Sequence, residues 1–287
     1  MTTPLVPYTS VVTPLRECVA VVTGASRGIG KGIALALGEA GVTVYVTGRS
    51  DAGGTTEGLP GTISETAEAV SQRGGRGIAV RCDHADDAQV ETLFARITQE
   101  HGRLDCLVNN VWGGYEQQDW KRFGAPFWEQ PIRHWSGMFE AGVRAHLIAS
   151  RLAVPVMLPN RRGLIIHTTA WDRDNYLGNL FYDLAKSTVS RMALGMAKEL
   201  LPHNVSVIAL APGFVGTERV LGAFSAAGRT PPEMESPAYI GRAVVALAGD
   251  ASVSAKSGRV LTVADLAREY GFTDIHGQQW PAFRMPG

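Results

Sequence analysis

Short apolar runs rich in Val and Ile alternate with longer stretches of helical period along this chain. The runs at 18–23, 42–47, 77–82, 104–109, 163–168, 205–210 and 259–263 predict seven buried strands. Between them, 30–40, 64–72, 86–100, 132–158, 181–201 and 237–248 predict helices. Gly41 supplies a stop after the first of these. Residues 51–61 and 110–131 read as loops, and 217–232 carries no clear period. Strands alternating with helices build βαβ units, so the pattern predicts an α/β fold: one doubly wound parallel sheet with helices on both faces. Strands that are apolar throughout fit a sheet covered on both sides. No linker rich in Pro, Ser or charge divides the chain. Residues 1–287 are therefore expected to form a single domain, with 1–15 as an N-terminal extension.

Composition narrows the partners. Of 287 residues, 45% are apolar and 19% charged, which suits a packed globular chain. Lys+Arg and Asp+Glu are both 27, and no basic block stands out. That argues against nucleic acid or an anionic membrane as the main partner. The most apolar long segment, 141–158, carries Arg144, His146, Arg151 and Pro155 and reads as a buried helix. The N-terminus shows no charged region followed by an apolar core, so no signal peptide is expected. Cys18, Cys82 and Cys106 form no CxxC pair, and reduced, buried thiols in a cytoplasmic protein are expected. The seven histidines make no metal-ligand spacing, so no metal is expected. His167 reads as a core residue.

Candidate chemistry begins where the first strand runs into Gly24-Ala25-Ser26-Arg27-Gly28-Ile29-Gly30. A glycine-rich turn between a strand and a helix sets backbone N–H groups and a helix N-terminus against a pyrophosphate. The bland alternative is a tight turn without a ligand. A site that takes NAD usually ends its second strand with an acidic residue for the ribose hydroxyls. Here that strand ends Val46-Thr47-Gly48-Arg49. Arg49 and Arg27 are two guanidinium groups suited to the 2′-phosphate of NADP. Asp83 follows the third strand and Asn109 ends the fourth, at the carboxyl edge where such a cofactor lies. Asp83 is placed to meet the adenine amine, or else to cap a helix. Asn109 is placed to brace the backbone.

Tyr182 and Lys186 form a YxxxK unit, and a spacing of four puts both on one helix face. An ammonium beside a phenol lowers the phenol's pKa, which makes Tyr182 a candidate acid/base. Thr169, thirteen residues before Tyr182, offers a hydroxyl to a substrate oxygen, with Thr168 as its rival.

These residues together resemble the short-chain dehydrogenases/reductases. The likeness runs from about 18 to 258. It covers the 23–30 turn, the Asn109-Asn110 pair, the Thr169, Tyr182 and Lys186 spacing, and Ala211-Pro212-Gly213 with Thr217 after the sixth strand. It implies a single Rossmann-type domain with strand order 3-2-1-4-5-6-7, hydride transfer with a nicotinamide cofactor, and a homodimer or homotetramer. It also implies Tyr182 as acid/base, Lys186 on the nicotinamide ribose, and Thr169 orienting the carbonyl. Cofactor contacts are implied for Gly24, Ser26, Arg27, Gly28, Ile29, Gly30, Arg49, Asp83, Asn109, Lys186, Pro212, Gly213 and Thr217. The chain departs from the family in carrying Thr169 for Ser, and Val111-Trp112 after the two asparagines. A further catalytic asparagine of the family falls near Gly142. The Phe127-Trp128 loop, Gly142 and the Ser257-Gly258-Arg259-Val260-Leu261 ending are most similar to a branch that contains a human carbonyl reductase acting on steroids and xenobiotics.

Four of the six tryptophans fall between 110 and 135, in a loop that also holds Tyr115, Phe123 and Phe127. Loops 111–131 and 214–237 are expected on the substrate side, the second as a lid over the site. Trp112, Tyr115, Trp120, Phe123, Phe127, Trp128, Trp135, Trp171 and Tyr176 are candidate pocket walls, or else the loop's own packing. The expected activity is NADP(H)-dependent reduction of a bulky hydrophobic or aromatic carbonyl. The competing expectations are a non-catalytic nucleotide-binding sensor or scaffold, and a dehydratase on the same fold.

Overall fold

Seven strands hydrogen-bond into one sheet in the computed structural model, which describes residues 15–116, 122–171 and 175–285. They are β1 (Val19–Thr23), β2 (Thr43–Gly48), β3 (Arg76–Arg81), β4 (Cys106–Asn109), β5 (Gly163–Thr168), β6 (Val205–Ala211) and β7 (Val260–Thr262). Their order is β3-β2-β1-β4-β5-β6-β7, and every pair is parallel. Both the single doubly wound sheet and the order match the sequence expectation.

Nine α-helices accompany these strands among the described residues. α1 (Gly28–Glu39), α2 (Ile63–Gln72) and α8 (Pro237–Gly249) cover one face. α3 (Asp87–His101), α5 (Ala145–Met157) and α6 (Leu180–Leu200) cover the other. The alternation within each strand explains the two layers. Ala20, Val22, Val44 and Val46 enter the first core, while Val19, Val21 and Tyr45 enter the second. Local signals set several helix starts. Thr62 and Glu65 close a capping box at α2, and Asp86 caps α3 through the N–H groups of Ala88 and Gln89.

Three elements differ from expectation. The helix expected over 132–158 is α4 (Arg133–Met138), a π-helical segment (Phe139–Arg144) and α5 in succession. The segment without clear period holds α7 (Glu218–Ala226), capped by Thr217, and returns through a parallel bridge between Val215 and Glu235. The last strand stops at Thr262 because that hydroxyl caps a further helix, α9 (Val263–Tyr270), by accepting from Asp265 N–H at 3.0 Å. Cys18, Cys82 and Cys106 are buried, unpaired thiols, as expected. The apolar run 141–158 packs inside the second layer, where Ala149, Ala153, Val156 and Met157 enter the core.

Candidate active site

The sheet order reverses between β1 and β4, and the crevice at their carboxyl ends holds the candidate site. A cleft of about 310 Å³ lies there. Of the expected cofactor residues, Gly24, Ser26, Arg27, Gly28, Ile29, Arg49, Asp83 and Thr217 line it. Gly24 and Gly28 adopt φ of +65° and +56°, which L side chains rarely take. A Cβ on Gly24 would stand 2.9 Å from the Val111 Cα, so the turn admits glycine on space as well. Gly30 lies behind the turn, where a Cβ would stand 2.5 Å from Asn110 Nδ2.

The turn fits an anion. Arg27 at the α1 N-cap makes no side-chain cap, and the first turn of α1 holds no acidic residue. Gly28 N–H instead donates to the Glu218 carboxylate at 2.8 Å, from the start of α7. A carboxylate of the chain itself thus stands at the orphan N–H groups where a pyrophosphate is expected to bind. The residues present therefore suit the phosphates of a dinucleotide.

The two arginines part company. Arg27 spends its guanidinium on the loop after β2. It donates to Thr56 Oγ1 at 2.8 Å, Ser50 Oγ at 2.9 Å, and the carbonyls of Leu59, Pro60 and Gly61. Burial lowers its pKa. Both expected guanidinium groups line the cleft, but Arg27 is engaged by that loop, which leaves Arg49 as the phosphate candidate. That side chain lies in the cleft, ion-paired to Glu116 and 3.9 Å from Asp83. His84, the next residue, is also in the cleft wall, with Nε2 2.8 Å from Thr47 Oγ1. Burial pushes its pKa down to about 4, so it is neutral.

Asn109 is also corrected. It is fully buried and donates to Ser150 Oγ at 2.9 Å, bracing α5 rather than facing the cleft. Asn110 takes the bracing role toward the cofactor turn. Its backbone N–H donates to Thr23 Oγ1, and its Nδ2 to the carbonyls of Thr23 and Gly24. Pro212 and Gly213 do not line the cleft, and the Gly213 N–H donates to the buried Glu235 carboxylate at 2.9 Å. Glu235 holds the Gly213 amide here as Glu218 holds that of Gly28, so a place for Pro212 and Gly213 on the cofactor stays an expectation.

Tyr182 and Lys186 do share a face of α6, with Lys186 Nζ 5.6 Å from the Tyr182 ring centroid. Neither lines the cleft, because Trp112 and Tyr115 cover them. Trp112 meets Tyr182 edge-on at 5.7 Å, Tyr115 stacks at 6.2 Å, and Phe123 meets it at 5.9 Å. The expected lowering of the Tyr182 pKa is corrected. Enclosure by these rings pushes it well above its ordinary value, and the hydrogen bond with Tyr115 adds to this. Lys186 is buried, and its ammonium pKa is pushed down to about 7 by that burial.

The Thr169 hydroxyl donates to the Lys186 carbonyl at 3.0 Å and lies 3.3 Å from Ser190 Oγ, tying the end of β5 to α6. Of the aromatic loop, Trp112, Tyr115 and Phe123 gather at Tyr182 as candidate walls. Trp135 instead stacks on Phe139 at 3.9 Å, and Phe127 and Trp128 are exposed. Tyr176 is exposed, Trp171 is half-buried, and Trp120 lies outside the described residues. His167 is a core residue stacked on His146, whose Nε2 lies 3.1 Å from the Val111 carbonyl. Sequence reasoning missed Asn110, Glu116, Glu218 and Glu235. Asn110, Glu116 and Glu218 carried a signal by adjacency to residues already singled out, and Glu235 carried none.

Comparison with known proteins agrees with this geometry. Dehydrogenase/reductase SDR family member 1 of Mus musculus is 39% identical over 280 residues, spanning 93% of this chain and 86% of that protein. The Homo sapiens protein of the same name is 36% identical, spanning 92% and 85%. A 7α-hydroxysteroid dehydrogenase solved with NADH and 7-oxo glycochenodeoxycholic acid superposes with a TM-score of 0.70 at 26% identity. That match spans 93% of this chain and 96% of the other. Residues 18–226 match the family model described as short chain dehydrogenase. With its relatives among dehydrogenases and reductases, the chain belongs to the short-chain dehydrogenase/reductase family of oxidoreductases, which binds nicotinamide cofactors.

Proposed function

We propose that this protein transfers a hydride between NADP(H) and a carbonyl or alcohol substrate, with a bulky hydrophobic or aromatic ketone or aldehyde on the carbonyl side. The observation that carries this is the meeting of two groups at one sheet edge. An anion-binding glycine turn ends β1, and the Tyr182–Lys186 pair stands on α6 beneath an aromatic wall. The preference for NADP rests on Arg49, which lies in the cleft where an acidic residue favours NAD. The substrate class rests on Trp112, Tyr115 and Phe123 around Tyr182. Buried thiols support a cytoplasmic location, and the family resemblance supports a homodimer or homotetramer.

A nicotinamide cofactor, when bound, supplies or accepts the hydride. The chain's own residues handle the proton. Tyr182, kept protonated by enclosure, is the donor to the carbonyl oxygen in reduction and the acceptor in oxidation. Lys186, one helical turn on, would hold positive charge beside that phenol and would bind the nicotinamide ribose. Thr169, with Thr168 as the alternative, orients the substrate oxygen. Gly28 N–H and Arg49, paired here with Glu218 and Glu116, would hold the phosphates. A second reading, a non-catalytic binder, is favoured by one observation: Trp112 and Tyr115 screen the pair from the cleft.

The deciding experiment follows NADPH and NADH oxidation with aromatic, steroidal and quinone-like carbonyls, beside Tyr182→Phe. We expect turnover with NADPH in preference to NADH, and a loss of at least ~100-fold in Tyr182→Phe with NADPH binding retained. Binding without turnover across the panel would favour the non-catalytic reading. Equal turnover in the variant would overturn the role of Tyr182.

A further inference from the structure

Lys186 is a buried cation whose pKa is lowered by burial alone, with no hydrogen-bonding or ion-pairing partner at Nζ among the described residues. A buried ammonium without compensation tends to lose its proton. What it does have is an aromatic face. Its Nζ lies 3.8 Å from the centroid of the Trp112 ring, well inside cation–π range.

That ring sits in a slot made by two missing side chains. A Cβ on Gly142, in the π-helical segment before α5, would stand 2.6 Å from Trp112 Cζ3. A Cβ on Gly114 would stand 2.5 Å from Cζ2. Any other residue at either position displaces the indole. The same indole meets Tyr182 edge-on at 90°. Its Nε1–H is buried with no hydrogen-bond partner, so hydrogen bonding does not explain its placement. Shape and the cation do.

We propose that Trp112 is a positioning residue for Lys186, its indole face seated between Gly114 and Gly142 so that the ammonium stays charged and stays beside Tyr182. The inference rests on the assignment of Tyr182 and Lys186 as the proton-handling pair. A cation–π contact stabilises the charged form only, so it raises the ammonium pKa against the burial that lowers it. A charged Lys186 in turn favours the Tyr182 phenolate.

The other titratable groups facing this pair are Tyr115, bonded to Tyr182, and His146 of α5, which stacks on His167 of β5. Arg219 of α7 reaches Tyr115 by its charge. His146 is lowered well below its ordinary value and His167 to about 3, so neither titrates near neutrality.

The test reads the lysine itself, on the intact protein. The chain has five lysines, Lys31, Lys121, Lys186, Lys198 and Lys256, few enough to resolve by NMR after ¹³C-lysine labelling. Lys186→Met identifies the resonance. We expect its ε-methylene to be shifted upfield by the indole ring current. Trp112→Leu should abolish that shift and lower the ammonium midpoint by about one pH unit. Gly142→Ala should do the same without altering either partner, and Trp112→Phe should fall between.

In turnover, the acid limb of alcohol oxidation should move to higher pH in the same order, a shift that lost packing alone does not produce. An unshifted ε-methylene in the wild type overturns the proposal. So does an unchanged midpoint in Gly142→Ala and Trp112→Phe. The lysine titration needs no substrate. A protein that shows the NMR shifts but keeps full turnover in Tyr182→Phe would reject the functional assignment and leave the Trp112–Lys186 contact standing.

Discussion

Gly28 donates its N–H to Glu218 at 2.8 Å, so one carboxylate competes with whatever anion the glycine turn binds. Glu218 is also the first residue of α7, where an acidic side chain is worth a few tenths of a kcal/mol to the helix. Removing its charge should cost α7 little and relieve the repulsion of a pyrophosphate. Glu218→Gln is expected to tighten NADPH binding by about five-fold, the equivalent of ~1 kcal/mol. Calorimetric titration checks this, and weaker binding in the variant would show that Glu218 supports the turn rather than competes for it. At this scale the sequence revealed residue types better than directions. The glycine turn, Arg49 and the Tyr182–Lys186 pair were legible because chemistry ties them to fixed spacings. Asn109 and Asn110 were not separable. In a strand, neighbouring side chains point to opposite faces, and a one-residue shift at the end of β4 decides which asparagine turns toward Thr23 and which toward Ser150.

Between elements, α1 and α8 pack closely because glycines face each other. A Cβ on Gly241 of α8 would stand 2.6 Å from the Gly32 carbonyl of α1, and one on Gly32 would run into the Pro237 backbone. Neither contact has a flexible side chain to give way, so the helices must separate. Gly32→Ala is expected to cost ~1–3 kcal/mol, a fall in Tm on the order of 5 °C. Since α1 also carries the cofactor turn, NADPH affinity should fall with it. A thermal melt in which Gly32→Ala matches the wild type would remove this account of the packing. The seven strands and the longer helices were legible because a two-sided sheet demands continuous apolar runs. The π-helical segment at 139–144 was not, since a residue accommodated without breaking the helix leaves no mark on apolar periodicity. Nor was α9, which begins at the residue after β7 ends.

Across the whole molecule, the buried titratable groups pull stability in opposite directions with pH. His84, His146 and His167 are buried and lowered, so the native state gains stability as pH rises toward 6.5. Glu235 acts the other way. It links the return of the 214–237 segment to β6: its carboxylate accepts from Gly213, its N–H donates to Phe214, and its carbonyl accepts from Gly216. It is 3% exposed, and burial pushes its pKa up to about 7, with Asp274 adding to the rise and the Gly213 N–H opposing it. A carboxyl group whose native pKa exceeds its unfolded value binds its proton more tightly when folded. Its contribution is full below pH ~4.5 and is lost as pH rises through about 7. The loss is on the order of 3 kcal/mol. Asp274, which accepts from Ser236, Ile275 and Trp280, is lowered, so its own contribution fades only as pH falls below the ordinary carboxylate range. Comparison with Glu235→Gln cancels the histidines and Asp274. Glutamine still accepts from Gly213 but carries no charge. Denaturant unfolding at pH 5 and pH 8 should show the variant gaining ~2–3 kcal/mol on the wild type between the two. A difference that stays constant with pH would mean that Glu235 does not titrate in this range and that the segment beside the active site is insensitive to it.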